Sequence, residues 1–102
     1  MAPSAAAERP TLIRRLSLDL VGLPPTRARI DEFVRDRRPD AIQQLVDRLL
    51  ASRHYGERWG RHWLDVARYA DTQGGSVDCP IPAARLYRDY VIDAFAADKP
   101  YD

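Results

Sequence analysis

The chain has 102 residues, 45% of them hydrophobic and 30% charged, with a formal net charge of +1. That composition excludes a disordered chain and allows one modest core, while the near-zero charge removes the field that a nucleic-acid or acidic-membrane binder uses. Fifteen of the sixteen basic residues are Arg, but twelve Asp and three Glu are interleaved with them in no sustained stripe, so they read as intramolecular ion-pair partners.

Residues 1–9 are small and polar and read as a disordered leader, with a helical domain over 10–102. Pro10 is pre-organised to start a first helix carrying Leu12, Ile13, Leu16 and Leu20 at helical spacing, and Gly22 ends it before the Leu23-Pro24-Pro25 spacer. Thr26 is placed to cap a second helix to about Asp36, with Ile30, Phe33 and Val34 on one face. After Pro39, Asp40 is expected to cap a third helix to Ala51, burying Ile42, Leu45, Val46, Leu49 and Leu50. A fourth helix spans about Tyr55 to Ala70.

Residues 71–82 hold two glycines and two prolines and form no regular element. The single cysteine, Cys79, lies there, so neither an internal disulfide nor a CxxC or CxxCH motif exists. A fifth helix, about Ala83 to Ala97, places Leu86, Tyr87, Tyr90, Val91, Ala94 and Phe95 on one face, and Arg85 four residues before Asp89. No useful period-two alternation occurs, so the fold class is all-α: about five helices packed as a small irregular orthogonal bundle around one core. No apolar run is long enough for a membrane span, and the start lacks the apolar stretch of a secretory signal. The close at Pro100-Tyr101-Asp102, straight after a helix terminator, points to a domain that continues.

Residues 52–71 concentrate both tryptophans, both histidines, two tyrosines, four arginines and two aspartates. At about 100° per residue, Tyr55, Trp59, Trp63, Val66, Ala67 and Ala70 gather as a core face with Gly60 at its edge. Beside it Arg58, His62, Asp65 and Tyr69 follow at i, i+4, i+7 and i+11, with Arg61 four before Asp65. Three readings follow. The line is a structural hydrogen-bond network; or it is a site, with Asp65 orienting His62 as general acid or base, Arg58 holding an anionic group and the 71–82 loop closing over it; or His62 ligates metal or non-covalent haem, with Asp65 and Asp71 as further donors. His54 and His62 are eight apart, so the i, i+4 pair of a helical zinc site is absent. His54 shows no evident partner. Gly74-Gly75 follows no strand and carries no Lys-Ser or Lys-Thr pair, so it is not a phosphate loop.

Three strings, RRLSLDLVGLPPT (residues 14–26), LVDRLLASRHYGERWGRHWLDVARYADT (45–72) and YRDYVIDAFAADKPYD (87–102), resemble the planctomycete-type PSCyt second domain, a domain-of-unknown-function family. The resemblance implies an all-helical module forming the amino-terminal part of that domain. It also implies a larger exported bacterial protein in which the module sits beside a cytochrome c-like domain. Any haem c then belongs to that neighbour, no cofactor is expected within these residues, and the expected partners are other domains of the same polypeptide. Trp59, His62, Trp63, Asp65, Arg68, Tyr69 and Asp71 match the family's signature string, which makes Trp59, Trp63, Arg68, Tyr69 and Asp71 candidate binding residues. No catalytic residue carries over from the family, so His62, Asp65 and Arg58 rest on spacing alone. The expected function is a structural or partner-binding module. The alternatives are a fragment of a hydrolase-like enzyme, with carbohydrate-related chemistry as one option, and a haem- or metal-binding module.

Overall fold

A computed structural model of the chain describes residues 5–101. Five helices account for its regular structure: α1 (Arg9–Leu20), α2 (Arg27–Arg35), α3 (Ala41–Leu50), α4 (Arg53–Val66) and α5 (Ala84–Ala96). No strand occurs among the described residues, only one antiparallel bridge pair, Thr72 with Pro80. The protein is all-α. The helices fall into two compact units, Met1–Ala51 with α1 to α3 and Ser52–Asp102 with α4 and α5.

In the first unit Ile13, Phe33, Ala41 and Leu45 are buried together, with Leu12, Leu16, Ile30 and Leu49 packed around them. Ile13 and Ser17 are the buried positions of α1, one turn apart, with Leu12 and Leu16 flanking them. α3 turns Ala41 and Leu45 inward, whereas Ile42 and Leu50, expected in the core, are exposed. The apolar set of α3 is wider than the stripe that packing covers, so Ala41 and Leu45, one turn apart, take the contact while Ile42 and Leu50 meet water.

The caps largely follow local chemistry. Thr26 Oγ1 accepts from the Arg29 N–H at 3.3 Å, and Gly22 adopts a left-handed φ of 73° after α1. Asp40 departs from expectation. It precedes α3 but makes no side-chain cap, because Gln44 Nε2 donates to its carboxylate at 2.6 Å instead.

Residues 1–4 of the expected leader lie outside the described residues. Arg9, assigned to that leader, belongs to α1. Its Nη1 donates to the Phe33 carbonyl at 2.7 Å and to that of Asp36, while its guanidinium lies 4.8 Å from the Phe33 ring centroid. One side chain thus satisfies carbonyls at the end of α2 and covers the largest core ring.

The turn after α2 is clasped by an Arg–carboxylate fork, with Arg38 Nε donating to Asp36 Oδ1 at 3.0 Å and Nη2 to Oδ2 at 2.7 Å. These bonds, with the Arg38 backbone N–H, hold the Asp36 carboxyl down to about 2. Because the folded value is depressed, the clasp contributes fully above the ordinary aspartate range and is lost as pH falls toward 2. Carboxyl-carbon NMR is expected to place the Asp36 midpoint near 2, and Arg38→Ala to return it toward the ordinary aspartate value of 3.8. An ordinary midpoint in the unmodified protein would refute the clasp.

Candidate functional site

The second unit is an αα-hairpin whose geometry is set by two glycines. The buried residues of α4 are Gly56, Gly60 and Leu64, spaced i, i+4, i+8. A β-carbon at Gly56 would lie 2.5 Å from the Ile92 carbonyl oxygen and 3.1 Å from Ala96 Cβ; at Gly60 it would lie 3.5 Å from Ile92 and Val91 side-chain atoms. The amino-terminal end of α4 therefore lies against the carboxy-terminal end of α5, with the helix backbones nearly touching. This overturns the expected core face, since Val66 is 80% exposed and Trp59 and Trp63 are each more than a third exposed. Helix backbones approach where side chains are absent, so the glycine stripe takes the centre and the indoles are displaced to its flank.

α5 shows the same displacement. Val91 is buried, whereas Leu86, Tyr87 and Tyr90 stand exposed. Flanking residues of both helices meet on one side, where Trp63 Nε1 donates to Tyr87 Oη at 2.9 Å. The 98–101 segment turns back over them, bringing Tyr101 to 5.6 Å from Trp63 and Lys99 Nζ to 2.8 Å from Tyr90 Oη. Between them lies a cavity of about 610 Å³, with Tyr55, Trp63, Tyr87, Tyr90, Phe95 and Tyr101 among its walls.

Of the polar line, the structure keeps Arg58, His62 and Asp65 on α4 and separates Tyr69 from it. The helix ends at Val66 rather than near Ala70, in a complete Schellman turn: the Tyr69 N–H reaches the Leu64 carbonyl at 2.9 Å and the Arg68 N–H that of Asp65 at 3.3 Å. Arg68 takes the left-handed position, φ 56°, that glycine usually fills.

His62 is exposed and lies against Trp59 in a tilted pair, with centroids 5.2 Å apart and the ring planes at 53°. Neither a His62–Asp65 hydrogen bond nor an Arg61–Asp65 ion pair forms among the described residues. His54, with no partner evident in sequence, meets the Glu57 carboxylate at 2.9 Å through Nδ1. Among the described residues no three His, Cys, Asp or Glu side chains converge as a metal-ligating group.

Tyr69 instead joins a network that sequence spacing did not reveal. Its hydroxyl donates to Asp71 Oδ1, whose other oxygen lies 3.5 Å from Arg88 Nη1, and Arg88 Nε donates to Asp89 at 3.4 Å. The bond to Asp71 raises the Tyr69 pKa, because ionising the phenol would set a phenolate against a carboxylate. Asp71 also anchors the loop, its carbonyl accepting the Ile81 N–H at 2.7 Å, while the Gln73 N–H bonds the Cys79 carbonyl at 3.0 Å. Residues 71–82 are thus closed at their base, with Cys79 exposed.

The family model described as PSCyt2, Protein of unknown function (DUF1549), matches residues 1–102. The chain belongs to the PSCyt2 family. No curated protein and no solved structure matches it. In this PSCyt2 chain the residues that the sequence did not single out for the site are Tyr87, Tyr90, Arg88, Lys99 and Tyr101. The one available signal was the recurrence of aromatics on both α4 and α5, since neighbouring helices that each carry a surplus must share a face. No helix among the described residues is long and apolar enough to cross a membrane.

Proposed function

We propose that this PSCyt2 chain is a partner-binding helical module and that the exposed aromatic side of the α4–α5 hairpin is its docking surface. One observation carries the reading: Trp59, Trp63, Tyr87, Tyr90 and Leu86 are all at least a third exposed on a hairpin whose buried side chains are few. Large aromatic residues on a surface are costly to leave in water, and Trp and Tyr are the types that dominate binding energy when a partner covers them. The partner, in this reading, is another domain of the same larger, exported, planctomycete-type polypeptide, with this module as the amino-terminal part of its domain. A cytochrome c-like domain is the neighbour, and haem c resides there.

The test measures affinity between this chain and the separately produced neighbouring domains by calorimetry. Trp63→Ala is expected to weaken binding by about tenfold or more, the effect of losing one anchor. Arg61→Ala, on the charged side of α4, is expected to change it by less than about twofold. Unchanged affinity in Trp63→Ala and Trp59→Ala would refute the proposal.

A further inference from the structure

The cavity beside Trp63 has a polar composition that narrows what it accepts. Its walls are aromatic, and its volume of about 610 Å³ is ample for one large side chain with its flanking backbone. Two phenol oxygens in it already accept hydrogen bonds, Tyr87 Oη from Trp63 Nε1 and Tyr90 Oη from Lys99 Nζ. A hydroxyl whose oxygen accepts from a neighbour has its own proton left to donate, and an ammonium bonded once keeps two further N–H groups. The cavity therefore offers phenol protons and a cation. Lys99 is also held 5.1 Å from the Tyr90 ring centroid, which fixes the charge against the wall. Asp98 is the one carboxylate among the lining residues, at the left-handed position, φ 49°, that follows α5.

From this complementarity we infer that the cavity recognises an acidic aromatic segment of the partner, an aromatic side chain inserted between Trp63 and Tyr90 with an adjacent carboxylate on Lys99 and the phenol protons of Tyr87 and Tyr90. The inference rests on the docking reading above and names the chemistry of what docks. Apolar area supplies attraction without direction; the donor set supplies selection, because a neutral isostere leaves the ammonium without its counter-charge.

The test titrates the intact chain with three capped peptides, acetyl-Glu-Phe-Glu-amide, acetyl-Gln-Phe-Gln-amide and acetyl-Glu-Gly-Glu-amide, following amide chemical shifts. The acidic aromatic peptide is expected to bind about tenfold more tightly than the Gln peptide, as losing charge-assisted hydrogen bonds predicts. The Gly peptide is expected not to bind. Lys99→Met, which keeps the backbone N–H that closes α5, and Tyr90→Phe are each expected to abolish the preference while leaving the weak Gln-peptide binding in place. Equal binding of the Glu and Gln peptides, binding of neither, or a preference that survives Lys99→Met overturns the inference. So does self-association of the chain that Trp63→Ala abolishes, which would assign the surface to a second copy. Loss of domain docking in Trp63→Ala together with no peptide preference would leave the docking reading standing and this inference refuted.

Discussion

Gly56→Ala is expected to destabilise the α4–α5 hairpin by about 1–3 kcal/mol, the range for forcing atoms into a filled contact, even though alanine is the better helix former by about 1 kcal/mol. The added carbon would sit 2.5 Å from a backbone oxygen, Ile92 O, and a main chain in mid-helix cannot step aside as a side-chain tip does. The same change one turn later has the opposite sign. At Gly60 the new carbon finds side-chain atoms at 3.5 Å, an ordinary contact, so the gain in helix propensity prevails and stability is expected to rise by about 0.5–1 kcal/mol. Both tryptophans lie on α4, so urea unfolding followed by indole fluorescence reports on this hairpin directly. Equal midpoint shifts of the same sign would show that backbone proximity does not govern the packing.

Phe33→Ala is expected to cost the first unit about 3–5 kcal/mol, the range for removing a buried aromatic ring. Phe33 is 5% exposed and is the largest member of a buried set of four. Its loss also takes away the ring beneath the Arg9 guanidinium, which is bonded to the Phe33 and Asp36 carbonyls. Far-UV circular dichroism during denaturant unfolding is the readout, since the ring carries no useful fluorescence. A loss below about 1 kcal/mol would mean that the site refills by collapse and that Phe33 is not the keystone of α1, α2 and α3.

Much of the helix pattern was legible because it rests on local chemistry. Thr26 accepts a hydrogen bond from the first turn of its helix, Gly22 tolerates a left-handed turn, and the prolines exclude helix, all without reference to distant residues. Ends set by residues with no such preference were not legible. Arg68 and Asp98 occupy left-handed cap positions, φ 56° and 49°, that nothing in their chemistry announces. As α4 stops at Val66, Tyr69 leaves the helical line with Asp65 and pairs with Asp71, only two residues away.

The candidate site divides in the same way. Its residue types were visible as a cluster in 52–71, and the family match confirms the family for the whole chain. Its arrangement was not visible. Helical angle grouped the indoles as the core face, whereas close approach of two backbones put Gly56 and Gly60 there and left Trp59 and Trp63 at its edge. Lys99 and Tyr101 reached the aromatic cavity by a chain reversal after α5, which periodicity along one helix does not encode.

By itself, then, the sequence determined five helices and most of their ends, since propensity, capping and proline geometry act over a few neighbouring residues. The tertiary structure alone decided which side of α4 is buried, which aromatics meet water and which donors surround the cavity. Those outcomes depend on how closely two backbones approach, a distance set by both helices together.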